Sequence, residues 1–394
     1  MISTYDTPAQ KPNPVDDTTF TRPLVKALQQ QTEQLAGTIA GPDAHRIASA
    51  WVYTTVLAAW CEDHALIPAW LRAEAEPARK HHLDAGGTLL GWLGRACASL
   101  TTHQSTACLL DPRYNPITQA APSEDGARAL IRWWSHEAPD LAYSAGKGPS
   151  SLTGWLAGDL LQLVADERRK ANALCQTPWW ICDFLLDRTL VPAIETWPQD
   201  LLRVIDPACG TGHLLVWALI GLYRWYRSNG PNHPALPPDA AIRRALAGLH
   251  GVELDPLTAA VARLRLTVTA GALLAGDNAL PTPLRLHQIP ADLRPQIAVG
   301  NALLAGQGDP CPPGTLLDDT HHYPRILQRG TYHAVVANPP YITVKDPQTR
   351  EAIRAAYPGV CTGKFSLSVP FAVLVFDLAI RGGHTATAPA EDGQ

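Results

Sequence analysis

Residues 201–212 read Leu-Leu-Arg-Val-Ile-Asp-Pro-Ala-Cys-Gly-Thr-Gly, and a mostly apolar run, His213–Tyr226, follows at once. The reading is a short strand, Leu202–Ile205, a glycine turn and a helix. Glycine lets the backbone turn tightly and approach a ligand at the helix N-terminus, where unpaired N–H groups gather. Working outward, Leu249–Leu254, Ile297–Val299 and Tyr332–Ala337 repeat the apolar, strand-like pattern, with a helical stretch at Leu257–Leu266. Strands alternating with helices predict an α/β fold with a parallel sheet. The Pro-rich stretch 230–238 is expected to be a surface loop.

Before about residue 170 the texture is helical. Leu24, Leu28 and Leu35 recur at helical spacing, and Ile47, Trp51, Val56 and Trp60 mark a second apolar face. The expected organisation is a disordered lead-in at 1–17, a helical N-terminal domain at 18–170, the α/β domain at 171–381, and a disordered tail at 382–394. Pro and Gly clusters near 111–124 and 144–150 read as loops. The composition, 46% hydrophobic and 17% charged, is that of a globular chain rather than a disordered one. A net charge of -4 excludes a global basic field, so any nucleic-acid contact must be a local groove. Eight scattered cysteines without a Cys-x-x-Cys pair give no metal site and suit a reducing, cytoplasmic setting. The apolar stretches near Trp51–Trp60 and Val369–Ile380 are too short to span a bilayer, and no membrane partner is expected.

The chemistry-bearing residues cluster at predicted strand ends. Asp206, Ala208, Gly210 and Gly212 form a candidate cofactor loop. Glu253 ends the second strand, where a carboxylate can accept from both ribose hydroxyls of a nucleoside. Asp255 reads instead as the N-cap of the next helix, with Pro256 in its first turn. Asn301, after the third strand, offers an acceptor for an adenine amino group; an Asn serving its own turn is the other reading. Asn338-Pro339-Pro340-Tyr341 follows the fourth. An exocyclic amine is a poor nucleophile because its lone pair is delocalised into the ring. Two carbonyl acceptors draw that lone pair out of conjugation, prolines stiffen the loop, and Tyr341 offers a face for an extruded base. Cys209 has no neighbours that suggest an activated thiolate.

These motifs resemble the gamma-type amino-methyltransferases, in which cofactor motifs precede Asn-Pro-Pro-Tyr. Cys175-Gln-Thr-Pro178 followed by Trp179–Phe184 is similar to that family's element before the first strand; by that resemblance Thr177 and Pro178 contact the cofactor. A narrower resemblance is to the large adenine methyltransferase of phage-growth-limitation and BREX-type defence systems. It rests on Leu174–Pro178, Phe184–Ile194, Asn338–Asp346, Lys364–Phe371 and the helical stretch Ala48–Asp63, and so covers most of the chain from about residue 45. It implies a Rossmann-like class I sheet behind a helical domain, S-adenosyl-L-methionine as cofactor, and site-specific adenine-N6 methylation of double-stranded DNA.

Two departures qualify this. Asn301 stands where the family often has Asp. The chain also stops where relatives continue, so the sheet is expected to be incomplete on its C-terminal side, its fourth strand an exposed edge, and the isolated chain weakly active. A second chain carrying the later strands, or other defence proteins, are the implied partners. Lys345, Arg350, Arg354 and Lys364 are candidate DNA contacts, with a solvated helix face as the other reading. No lysine has an acidic residue two positions before it, which argues against a PD-(D/E)-x-K nuclease. RNA or protein-glutamine methylation, and a cofactor- or partner-binding fragment without turnover, stay open as alternatives.

Overall fold

Three buried residues, Val204–Asp206, form the central strand β1 of a five-stranded parallel sheet in this computed structural model. The described residues are 18–142, 152–164, 177–198, 201–229, 234–305, 318–323 and 325–387. The expected lead-in 1–17, the loop 144–150, part of the loop 230–238, Leu174–Gln176 and residues 388–394 of the expected tail lie outside them.

The chain forms two compact units. One holds the described residues up to 164 together with Gly271–Asp292. Its helices are α1 (Thr18–Ala36), α2 (Ala44–Asp63), α3 (Glu76–Asp84), α4 (Leu89–Ser99), α5 (Glu124–His136) and α6 (Trp155–Val164). Helix α2 is buried on nearly every side, from Ile47 to Glu62, which explains its nearly continuous apolar sequence. Thr88 and Ser123 cap α4 and α5, their hydroxyls accepting from the Gly91 and Gly126 N–H groups.

The other unit holds residues 177–270 and 293–387. Its elements are α7 (Trp179–Thr196), β1, α8 (His213–Arg227), α9 (Pro238–Gly248), β2 (Leu249–Glu253), α10 (Pro256–Gly276), β3 (Gln296–Val299), β4 (Tyr332–Ala337), α11 (Pro347–Ala356), α12 (Ser368–Leu378) and β5 (Ala379–Thr387). The strand order is β3-β2-β1-β4-β5, and every pairing is parallel. Strands buried on both faces read as continuous apolar runs, which is why Tyr332–Ala337 was legible.

Several expectations are corrected. Residues 382–394 are not all tail: β5 extends to Thr387 and pairs with β4, Ala337 opposite Thr387. The fourth strand is therefore not an edge, since β1 and β5 flank it. The Gly-Gly pair 382–383 hid this strand, because glycine carries no strand preference. Gly383 is needed there: a Cβ would lie 3.0 Å from the Tyr332 carbonyl oxygen, at a register shift in the ladder. In the stretch 230–238, expected as a loop, the described residues 234–237 carry no helix or strand, and Pro238 begins α9. Residues 271–292, which include the C-terminal end of α10, were expected in the α/β domain and belong to the helical unit. The Leu286 N–H donates to the Leu66 carbonyl at 2.8 Å, and His103 Nε2 meets the Pro290 carbonyl at 3.1 Å. Helix α10 also runs well past Leu266, and by length and composition it is apolar enough to cross a membrane, but 89% of that stretch is buried inside the protein.

Gly248, at the junction of α9 and β2, backs onto the segment that leads into β1: a Cβ there would collide with the Leu202 carbonyl oxygen. Backbone cannot yield as a flexible side chain can. Gly248→Ala is expected to lower stability by about 3 kcal/mol, the upper range for overpacking, read as a reduced urea midpoint with an unchanged slope. An unaltered midpoint would contradict this packing.

Candidate functional site

The strand order reverses between β1 and β4, because β2 and β3 lie on one side of β1 and β4 and β5 on the other. In open α/β sheets, ligands bind outside the carboxyl ends of the strands at such a switch point. Val204 is opposite Ala334 and Ile205 opposite Val335, so the loops after Asp206 and after Ala337 leave neighbouring strands at the same edge. Glu253 ends β2 opposite Val299 of β3, and Asn301 follows two residues later. Topology therefore brings 206–212, 253, 301 and 338–341 to one edge of one sheet.

The loop after β1 is held in shape from three directions. Asp206, 2% exposed, accepts from the Ala208 N–H at 3.0 Å. Gly210 and Gly212 sit at φ +54° and +84°, left-handed values that L side chains rarely adopt. Gly212 also caps α8, and a Cβ on it would approach Ala262 Cβ at 3.4 Å. Glu253 reaches across: one carboxylate oxygen accepts from the Gly210 N–H at 3.0 Å, the other from the Asp255 N–H at 2.8 Å. Asp255 is the expected N-cap, accepting from the Thr258 N–H at 2.9 Å and its hydroxyl at 2.8 Å.

Burial pushes the Asp206 carboxyl up to about 8, with a backbone bond opposing and the Glu253 charge adding to the rise. Burial likewise pushes Glu253 up to about 7 against its backbone bonds. Burial also holds the Cys209 thiol well above its ordinary range, as expected for an inert thiol. Two buried acids with raised values suit a cofactor that carries positive charge, which would favour their ionised forms. The glycine cradle and the carboxylate at the β2 tip fit a nucleoside with a ribose diol.

The sign of the pH dependence follows. Between about pH 4 and 8 the unfolded chain ionises Asp206 while the folded chain keeps the proton, so stability falls as pH rises through that window. Asp206→Asn is expected to reduce this fall by about 3.5 kcal/mol between pH 5 and 8. Urea midpoints at the two pH values measure it; equal slopes for both proteins would remove the buried acid from the account.

Asn301 adopts the turn role: its Oδ1 accepts from the Leu303 N–H at 3.1 Å. The second lone pair and the amide NH₂ are what it can offer a ligand. Thr177 is buried and Pro178 opens α7, its carbonyl accepting from the Ile181 and Cys182 N–H groups at 3.0 Å each. Asn338 is half-buried, Pro339 buried, Pro340 half-buried, and Tyr341 is 38% exposed. The Leu367 N–H donates to the Ile342 carbonyl at 2.9 Å and ties this loop to the start of α12.

Of the candidate DNA contacts, Lys345 and Lys364 are exposed. Arg350 is half-buried and donates to the Val344 carbonyl at 3.5 Å. Arg354 also serves the fold: it donates to the Cys361 carbonyl at 3.3 Å and the Gly363 carbonyl at 3.1 Å, pairs with Glu351, and lies over the Phe365 ring.

Sequence reading missed the residues behind the loops. Arg263, 7% exposed, donates to the Ile297 carbonyl and pairs with Asp319 at 3.1 Å. Asp319 in turn accepts from the Val299 N–H at 2.5 Å and fixes the end of β3. Arg265, fully buried, donates to the Thr211 carbonyl at 2.7 Å. Two arginines inside an otherwise apolar helix were the available signal, since buried cations are almost always engaged.

The fold and the loops at its switch point define a class I-like methyltransferase sheet with a helical unit before it. Residues 248–387 match the Eco57I restriction-modification methylase family. Over 368 residues the chain is 36% identical to the adenine-specific methyltransferase PglX of Streptomyces coelicolor (strain ATCC BAA-471 / A3(2) / M145), with 85% of this chain and 30% of that relative covered. The chain thus spans 30% of the length of the curated relative it matches. The type IIL restriction-modification enzyme MmeI, solved in complex with DNA, shares the fold at a TM-score of 0.51 and 16% identity, over 88% of this chain and 47% of that one. The first two matches bear out the resemblance drawn from the motifs: residues 248–387 match a restriction-modification methylase family, and the chain is similar to an adenine-specific methyltransferase.

Proposed function

We propose that this chain supplies the catalytic sheet of an S-adenosyl-L-methionine-dependent DNA adenine-N6 methyltransferase acting in a phage-defence or restriction-modification system of the cytoplasm. The supporting observation is the pairing of β1 with β4, which sets the cofactor loop beside Asn338–Tyr341 at one sheet edge. The bound cofactor supplies an activated methyl group on a sulfonium, so no covalent enzyme intermediate is required.

In this reading Glu253 accepts from the ribose hydroxyls, while Asp206, Ala208, Gly210 and Gly212 form the floor under the cofactor. Thr177 and Pro178 cover its methionine end, and Asn301 faces the adenine. The Asn338 side-chain carbonyl and the Pro339 backbone carbonyl accept from the two hydrogens of the target amine. That localises the nitrogen lone pair towards the methyl group, and the proton leaves to water after transfer. The prolines hold these acceptors still, so most of the rate comes from positioning. Tyr341 stacks on the extruded base. Lys345, Arg350 and Lys364 would hold flanking phosphates. A further polypeptide, in the same or another chain, would cover the outer edge of β5 and supply sequence recognition.

The test is transfer of tritiated methyl from the cofactor to double-stranded DNA, with N6-methyladenine as product. Label confined to protein or RNA would overturn the substrate assignment.

A further inference from the structure

Helix α10 is long and apolar, yet its residue 265 is an arginine with no measurable exposure. Burying a guanidinium costs several kcal/mol unless its donors find good acceptors, and Leu or Met would fill the same volume without that cost. The acceptor that Arg265 reaches is therefore informative. Nη1 donates to the Thr211 carbonyl at 2.7 Å and to the Thr211 hydroxyl at 3.0 Å, with His213 Nδ1 at 3.3 Å. Thr211 is the residue between the two left-handed glycines, Gly210 and Gly212. A Gly-x-Gly segment has many backbone states of similar energy, and glycine loses more freedom on ordering than any other residue. Its shape must be imposed from outside.

We propose that Arg265 is a positioning residue for the cofactor loop. It pins the Thr211 carbonyl from beneath, so that the Gly210 N–H is aimed at Glu253 and the loop already has its bound shape before the cofactor arrives. Without it the loop would order only on binding, and apparent affinity falls by the fraction of time the competent shape is populated. Lysine keeps the charge and an ammonium that can donate to the Thr211 carbonyl, but not the planar fork, so Arg265→Lys restores part of the function. The proposal rests on the reading of this loop as the S-adenosylmethionine site.

The experiment measures cofactor affinity by calorimetry on the full chain, beside Arg265→Gln, Arg265→Lys and Val268→Ala. Val268 is fully buried on the same helix, so its truncation controls for lost stability. Deuterium exchange of peptides covering 206–214 and 332–337 is followed without ligand. The expected result is a dissociation constant raised about 10- to 50-fold in Arg265→Gln, partial recovery in Arg265→Lys, and less than about 3-fold change in Val268→Ala. Exchange accelerates at 206–214 and not at 332–337. The proposal is overturned if Arg265→Gln binds as the parent does, or if Val268→Ala loses affinity equally at the same melting temperature. Should Arg265→Gln not fold, Arg265→Lys decides by its affinity and by exchange at 206–214. A parent chain that binds no S-adenosylmethionine sinks the underlying functional reading as well, a result visible before any variant is compared.

Discussion

Asn338→Ala is expected to reduce methyl transfer to DNA by about 10³-fold while leaving cofactor affinity within about 3-fold. The lost rate and the retained affinity have separate causes. Asn338 leaves β4, whereas the proposed cofactor floor is the loop after β1 and the tip of β2, tied together by the Gly210–Glu253 bond. Removing the Asn338 side chain leaves those contacts untouched. What disappears is an acceptor that gains strength as the amine nitrogen localises its lone pair, an interaction made chiefly in the transition state; such losses appear in the rate and not in ground-state binding. Single-turnover transfer of tritiated methyl, paired with calorimetric cofactor binding, separates them. Equal losses in both would show that Asn338 holds the cofactor and does not act on the amine.

The second large effect is on stability, and it lies in the helical unit. Arg72 donates through Nε and Nη2 to both Asp63 oxygens, at 2.8 and 2.5 Å, and to the Trp134 and Pro139 carbonyls at 3.1 and 2.9 Å. Its guanidinium also lies 5.2 Å from the Trp134 ring centroid. The Asp63 side chain is 6% exposed, and it accepts in addition from the Leu141 N–H at 2.7 Å. One side chain thus joins the end of α2, the following turn and the segment after α5. Arg72→Ala strips the cation from a buried carboxylate and the donor from the Trp134, Ala138 and Pro139 carbonyls, and is expected to cost about 4 kcal/mol.

The pH signature identifies the mechanism. Burial raises the Asp63 carboxyl even against Arg72. Removing the cation raises it further, so the folded variant takes up a proton more readily than its unfolded chain. The deficit should therefore be smaller at pH 5 than at pH 8. Chemical denaturation at both values measures it, and a pH-independent deficit would assign the loss to packing alone.

The loops themselves were legible because their chemistry is local. A strand followed by Asp-Pro-Ala-Cys-Gly-Thr-Gly, an acid at a strand tip, and Asn-Pro-Pro-Tyr each show their chemical character within a few residues. The helix N-cap at Asp255 was legible for the same reason. Arg354 shows the limit: from sequence it is a cation after the Asn-Pro-Pro-Tyr loop, and only the path of residues 361–365 reveals that it also holds the Cys361 and Gly363 carbonyls. Asn301 likewise has the same sequence whether it serves a ligand or its own turn, and the Leu303 bond decides what is left.

By itself the sequence determined the alternation of strands and helices, the motif loops and their chemical character, because hydrophobic period, turn residues and caps act over a handful of positions. Tertiary structure alone decided which loops meet. The β3-β2-β1-β4-β5 order sets 206–212 beside 338–341 across more than a hundred residues of chain. It also recruited Gly382 and Gly383 into β5, gave residues 271–292 to the helical unit, and turned Arg263 and Arg265 into supports for the site. Each of those depends on a partner distant in sequence. A buried hydrogen bond across such a gap leaves no periodic trace in the residues that make it.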